Sequence, residues 1–280
     1  MQILGVEVDD NYLTTRHILL ASIAIGVIWA LALVLSHPSL RWIPSPVRRQ
    51  MSNTILLVGN SQSGKTSLFS LLTYGKAVET RTSMKENEGN VILRDPEDVR
   101  IAAGRVHDSM HLYLTIRFRQ QHTLRTSAIH LVDVPGHEKL RFKLADFTPI
   151  AGGVVFIVDS ATVSRNARSV AEHLYELLTD KNILKRSTEI CIACNKVDLP
   201  GAIPLDRIRH HLEEEITRLR QTRTASLEHQ DTDAEEIDVF LGYEGQDFSF
   251  DHLESAVTFH TMSVENGNMR DVVHWMADAL

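Results

Sequence analysis

Cysteine is scarce in this sequence, with two residues in 280, Cys191 and Cys194. A disulfide framework is therefore excluded. The pair forms a C-x-x-C, but no second Cys/His pair of zinc-site spacing accompanies it, and residues three apart on a strand point to opposite faces. Both read as packing residues, as do Trp275 and Met276. A basic balance is also missing. The formal net charge is −7 and no long Lys/Arg run occurs, which argues against direct nucleic-acid binding. No internal repeat is evident. The length allows one large domain or two small ones.

Long apolar runs are absent with one exception. Residues 18–35, ILLASIAIGVIWALALVL, carry no charge over eighteen positions, and Ser22 is the only side-chain hydroxyl. A bilayer core needs roughly 17–25 such residues as helix. A cleaved signal peptide would want a basic start and a small-residue cleavage site, whereas this chain starts MQILGVEVDD. A buried core helix would show a polar face, which this run lacks. The run reads as a transmembrane helix. Arg16 stands against Glu7, Asp9 and Asp10 before it, and Arg41, Arg48 and Arg49 follow it. The positive-inside rule then places the C-terminal side in the cytosol. Pro38, Pro44 and Pro46 make the next stretch a short, stiff tether. The expected organisation is an N-terminus at 1–17 across the membrane, a span at 18–35, a tether at 36–52 and a cytosolic domain at 53–280.

Within that domain, apolar runs alternate with amphipathic stretches. TILLVG (54–59), AIHLVDV (128–134), GVVFIVD (153–159), EICIACN (189–195) and AVTFHTMSV (256–264) read as strands. LYLTIRFR (112–119) alternates strictly and reads as a half-exposed antiparallel strand. Helical faces recur at Leu68, Leu71 and Leu72 before a stop at Gly75, at Val170, Leu174, Leu177 and Leu178, and at Ile208, Leu212, Ile216 and Leu219. MRDVVHWMADAL is the last helix. This alternation implies a three-layer α/β fold with a mostly parallel sheet. The polar, acidic residues 222–236 read as a mobile loop.

Residues 59–66, GNSQSGKT, match G-x-x-x-x-G-K-[ST] between an apolar strand and a helical pattern. Backbone N–H groups of Gly59, Asn60, Ser61, Gln62, Ser63, Gly64 and the following Thr66 and Ser67 can converge on phosphate oxygens. Lys65 supplies charge for the β and γ phosphates, and the Thr66 hydroxyl can bind Mg²⁺. Asn195-Lys196-Val197-Asp198 ends a strand and resembles the N-K-x-D motif of GTPases. A carboxylate at Asp198 can accept from both the ring N–H and the exocyclic amino group of guanine, a pair adenine lacks. Asn195 can bridge to the phosphate loop, and the Lys196 stem can lie over the base. Asp133-Val134-Pro135-Gly136-His137 resembles D-x-x-G, with Asp133 on Mg²⁺ through water and the Gly136 amide at the γ-phosphate. His137 stands where a catalytic water would be oriented. Thr82 and Ser83 in TRTSMKEN are candidate Mg²⁺ ligands, with Ser83 the better placed. Ser263-Val264-Glu265 resembles a degenerate S-A-K loop that touches guanine through backbone.

Taken with the apolar run, GNSQSGKT, TRTS, DVPGHEKLR, NKVD and LGYEGQDFSFDHLESAVTFHTMSVENGN resemble the signal recognition particle receptor β-subunit family. That is an Arf/Sar-like branch of the P-loop GTPases, and the resemblance covers most of residues 18–280. It implies a Ras/Arf-like P-loop GTPase domain behind one membrane span. It further implies GTP and Mg²⁺ as ligands on the cytosolic face of the endoplasmic reticulum, and leaves open whether the domain also hydrolyses GTP slowly. The implied partner is the N-terminal domain of the receptor α subunit, with ribosome and translocon engaged indirectly. The stretch Gly89–Met110 and the 222–236 loop are longer than that family needs. An Arf/Sar-type vesicle-trafficking GTPase is the competing reading, and the uniformly apolar run opposes it, because such proteins need reversible attachment. An inert scaffold is opposed by intact Lys65, Thr66, Asp133 and Asp198.

Overall fold

The protein divides into a segment Met1–Gln50 and a compact body Met51–Leu280. The structure, a computed structural model, describes residues 53–76, 83–93, 127–227 and 240–280. The expected span and tether, Thr82 and the strand expected at 112–119 lie outside the described residues. Among the described residues, no helix is long and apolar enough to cross a membrane.

Six strands form one sheet: β1 (Thr54–Val58), β2 (Asn87–Val91), β3 (Ile129–Asp133), β4 (Gly153–Asp159), β5 (Glu189–Asn195) and β6 (Val257–Thr261). Their order is β2-β3-β1-β4-β5-β6. All neighbours are parallel except β2, which runs antiparallel to β3. Among the described residues, six α-helices accompany them: α1 (Lys65–Tyr74), α2 (Leu144–Phe147), α3 (Val163–Leu178), α4 (Lys181–Arg186), α5 (Leu205–Leu227) and α6 (Arg270–Asp278).

The central strands are apolar on both sides because both faces are covered. Leu56, Val58, Phe156, Ile192 and Cys194 pack with α3 and α5, while Ile55, Leu57, Val155, Ile157, Cys191 and Ala193 pack with α1 and α6. The two cysteines thus lie on opposite faces, and burial pushes both thiols up to about 12. The architecture is the expected mostly parallel α/β sheet between two helix layers.

One strand was not expected from the sequence, and one local expectation differs from the structure. Asn87–Val91, NEGNV, forms edge strand β2 although it carries no apolar alternation. Its register against β3 supplies the order, with Asn87 directly opposite Asp133. Helix α5 continues to Leu227, so 222–227 is helical rather than loop. The remainder of the loop expected at 222–236 lies outside the described residues.

Strand order reverses around β1, which has β3 on one side and β4 on the other. In open parallel sheets the crevice at the carboxyl ends of such strands is where ligands bind. The phosphate-loop motif, the D-x-x-G motif and the N-K-x-D motif follow β1, β3 and β5, and so open onto that crevice.

Candidate functional site

The loop after β1 turns sharply at its base, where the Ser63 N–H donates to the Asn60 carbonyl at 3.3 Å. Ser61 and Gln62 are exposed at its tip, and Gln62 takes a left-handed φ of 65°. Gly64 caps α1 at φ 101°, and a Cβ there would strike the Asn195 amide. Only glycine suits both demands. Ser67 occupies the first turn of α1.

Two opposite charges are buried in the crevice. Lys65 is 6% exposed and Asp133 fully buried. The Lys65 ammonium donates to the Asn60 carbonyl at 2.7 Å. Burial pushes its pKa down to about 8, against the pull of Asp133. Burial likewise raises the Asp133 carboxyl, opposed by hydrogen bonds from Thr66 and Asn87 and by the charge of Lys65. The Asp133 Oδ2 accepts from the Thr66 hydroxyl at 2.7 Å and from the Asn87 amide at 2.9 Å. The Thr66 and Ser83 hydroxyls lie 3.0 Å apart. The other Asp133 oxygen, Oδ1, is buried with no partner, as is the Ser63 hydroxyl. A carboxylate and two hydroxyls are hard oxygen donors, the chemistry Mg²⁺ takes. The orphaned Oδ1 has spare acceptor capacity for a hydrated cation, so the residues present fit that ion.

Gly136 lies against the phosphate loop. A side chain there would meet the Gly59 carbonyl, the backbone of Asn60 and the Lys65 ammonium. The next residue, His137, is exposed. Its Nδ1 accepts from the Lys139 N–H at 3.2 Å and caps the 3₁₀ turn Glu138–Lys143. A neutral ring so engaged carries its proton on Nε2.

The base end of the crevice is built by Asn195, which is buried. Its amide donates to the Ser63 carbonyl at 2.8 Å, and its oxygen accepts from the Val264 N–H at 3.2 Å. Three loops are thereby tied by one side chain. Lys196, in a left-handed conformation, pairs with Asp159 at 2.7 Å. Asp198 is exposed, and the Ser263 hydroxyl donates to its Oδ1. Ser263 itself is buried and also accepts from the Asn266 N–H at 3.1 Å.

The structure therefore brings Lys65, Thr66, Ser83, Asp133 and Gly136 together at one end and Asn195, Asp198, Ser263 and Val264 at the other. Sequence reasoning missed Asn87, which only strand register reveals. It also missed His173, whose Nδ1 lies 3.1 Å from the Asn60 side-chain oxygen. A signal existed for His173, because it falls between Val170, Leu174 and Leu177 on the apolar face of α3.

Comparison with known proteins agrees with this geometry. The family model described as signal recognition particle receptor beta subunit matches residues 50–257. The chain belongs to that family. The mouse signal recognition particle receptor subunit beta is 34% identical over 238 residues, 82% of this chain and 78% of the mouse protein. Among solved structures, the mammalian SRP receptor is similar at TM-score 0.62 and 32% identity, covering 81% of this chain and all of that one. The Chaetomium thermophilum signal recognition particle receptor SRb, in its GTP complex with SRX, shares the fold at TM-score 0.56 and 20% identity, covering 80% and 97% of the two chains. Membership places this chain in the signal recognition particle receptor as a beta-subunit relative.

Proposed function

We propose that this beta-subunit relative binds GTP with Mg²⁺ and uses the bound state to hold the N-terminal domain of the receptor α subunit at the endoplasmic reticulum membrane. The observation that carries the reading is the buried Asp133 carboxylate. It is wired to Thr66 and Asn87 beside buried Lys65, and one of its oxygens is unpartnered. Such a group is costly unless a ligand completes it. The GTP complex of the Chaetomium thermophilum relative with SRX supports the same assignment.

In this reading the backbone of Gly59–Thr66 cradles the phosphates and Lys65 neutralises them. Thr66, Ser83 and Asp133 would hold Mg²⁺, which would supply positive charge against that of the phosphates. Asn195, Lys196, Asp198, Ser263 and Val264 receive guanine. His137, whose Nδ1 is held by the Lys139 N–H, orients a water for slow GTP hydrolysis. The segment 18–35 anchors the chain as a single span with the domain cytosolic. Ribosome and translocon are reached through the α subunit.

The test is to purify the full-length chain in detergent without added nucleotide, denature it and chromatograph what is released. Guanine nucleotide, carried or taken up on addition, supports the reading. Predominant GTP supports a held switch, and predominant GDP shows turnover. Adenine nucleotide alone, or none taken up, overturns it. Alkaline extraction of membranes tests the anchor, since a spanning chain stays in the pellet.

A further inference from the structure

One polar junction lies outside the nucleotide crevice and touches two of its walls. Ser169, on α3, uses its whole hydrogen-bonding capacity of one donor and two acceptor sites. Its hydroxyl donates to Glu138 Oε1 at 3.2 Å, accepts from the Asn60 amide at 3.2 Å and accepts from Arg141 Nη2 at 3.1 Å. The same guanidinium nitrogen donates to the Ser169 carbonyl at 3.2 Å. The Asn60 amide is fixed from its other side by His173, which is buried against the edge of Phe156 with ring centroids 5.4 Å apart. Burial drives the His173 imidazole down to about 3, so the ring is neutral and Nδ1–H is the donor.

Asn60 therefore faces two ways. Its side chain is locked to α3, while its backbone carbonyl holds the Lys65 ammonium. Glu138 and Arg141 belong to the turn that follows Gly136, the residue packed against Lys65 and Gly59. Arg141 is mostly buried, its side chain 12% exposed, and its Nε–H has no partner. An apolar side chain would fill that space without leaving a buried donor unpaired. The guanidinium is tolerated for what its other two nitrogens do: Nη2 donates to Ser169 and lies 4.0 Å from Glu138, and Nη1 lies 3.9 Å from Glu176.

We infer that Ser169, together with Arg141, is a positioning residue that couples the phosphate loop to the turn after Gly136, and so sets how strongly the site distinguishes a nucleoside triphosphate from a diphosphate. The inference rests on the GTP reading above. The junction keeps Glu138–Lys143 drawn toward the phosphate loop, which keeps Gly136 where a terminal phosphate would meet its N–H. A diphosphate ends short of that turn and is indifferent to it. Loosening the junction therefore weakens triphosphate binding selectively. The coupling is a two-way geometric constraint, because Asn60 and Arg141 share one hydroxyl.

The test uses the full-length chain in detergent with fluorescent GDP and a fluorescent non-hydrolysable GTP analogue. Ser169→Ala is expected to weaken the GTP analogue by about three- to tenfold, the scale of one neutral hydrogen bond, while GDP affinity stays within about twofold. Arg141→Met is expected to act in the same direction, and Ser169→Thr, which keeps the hydroxyl, to restore the ratio. A purely structural role would lower the melting temperature and shift both nucleotides together. Wild-type protein that binds both nucleotides, with a Ser169→Ala ratio equal to wild type, overturns the coupling alone. Wild-type protein that takes up neither overturns the GTP reading, and the coupling with it. Where Ser169→Ala fails to fold, Arg141→Met gives the same two readings.

Discussion

Two regions of the body use buried polar groups in opposite ways. In the loop leading into β6, α5 supplies partners for groups the chain itself presents. Glu213 Oε1 accepts from Arg209 Nε at 3.2 Å, from the Ser249 hydroxyl at 3.2 Å and from the Phe250 N–H at 3.1 Å. Thr217 accepts from the Phe248 N–H at 2.9 Å, and Arg220 donates to the carbonyls of Tyr243 and Gln246 at 3.1 and 2.8 Å. At the carboxyl ends of β1 and β3 the pattern is different. Burial lowers the pKa of Arg220 in the clasp as it does that of Lys65, but Arg220 serves carbonyls that the chain itself presents, whereas Asp133, buried beside Lys65, keeps Oδ1 without a partner. The α5 clasp stabilises the fold. The crevice costs the fold stability and keeps capacity for something from outside. The contrast separates a structural polar network from a binding site without reference to any name.

The largest effect expected from breaking this contrast is at Lys65. Removing one member of a buried, hydrogen-bonded charge arrangement weakens binding by about 2–5 kcal/mol, or about 30- to several-thousand-fold. Lys65→Met should lose GTP affinity on that scale by equilibrium titration. The ligand-free protein should nevertheless melt no lower than wild type. The folded pKa of about 8 lies below the unfolded 10.5, so the buried cation costs about 3 kcal/mol below pH 8. Wild-type ligand-free stability should therefore rise between pH 8 and 10.5, and that rise should vanish in Lys65→Met. A Lys65→Met protein that is less stable and binds GTP normally would reverse the assignment of the two regions.

The opposite outcome is expected at the clasp. Glu213→Ala strands the Phe250 N–H and takes an acceptor from the Ser249 hydroxyl and from Arg209, which keeps Asp251, and should cost about 1–3 kcal/mol in denaturant unfolding. GTP affinity should not change, since no Glu213 partner reaches the crevice. A comparable loss appears in wild type on mild acidification, through His173. Its folded pKa of about 3 lies below the unfolded 6.5, so the unfolded chain takes up the proton first. Stability is full above pH 6.5 and falls as pH drops toward 3, by about 2 kcal/mol at pH 5. His173→Gln should remove that slope, measured by denaturant unfolding at pH 7 and pH 5.

How much of this was legible in the sequence follows from how far apart the interacting residues lie. Four of the five parallel strands, β1, β3, β4 and β5, announced themselves as near-continuous apolar runs, because both sheet faces are covered there, whereas the edge strand β6, VTFHT, is only half-buried. GNSQSGKT, DVPGH and NKVD were legible for a related reason, since each is a short local motif at a strand end. β2 was not legible. NEGNV is held by pairing to β3 rather than by side-chain burial, and its role in placing Asn87 opposite Asp133 exists only in the register. The Ser169 junction was hidden in the same way, because Asn60 meets residues more than a hundred positions away. The end of α5 was misread as loop because the acidic residues beyond it coloured the whole stretch, although Arg, Gln, Ala and Leu in 218–227 are sound helix formers.

The smallest effect, and the sharpest on the recognition of the base, is expected at Ser263. The resemblance of Ser263-Val264-Glu265 to an S-A-K loop implies a backbone contact to guanine, which tolerates the two departures from that motif. The structure gives its side chain a separate task. The buried hydroxyl donates to Asp198 Oδ1 and accepts from the Asn266 N–H, so it orients an otherwise exposed carboxylate. In the proposed GTP complex Asp198 presents both oxygens to two neighbouring donors of guanine, and a free side chain would lose rotamer entropy on doing so. Ser263→Ala should weaken GTP by about three- to tenfold. It should weaken ITP, which lacks the exocyclic amino group, by less. The guanine-to-hypoxanthine preference should therefore narrow, while Asn195 still ties Val264 to the phosphate loop and holds the fold. Equal losses for GTP and ITP would mean that Ser263 supports the loop rather than aims the carboxylate.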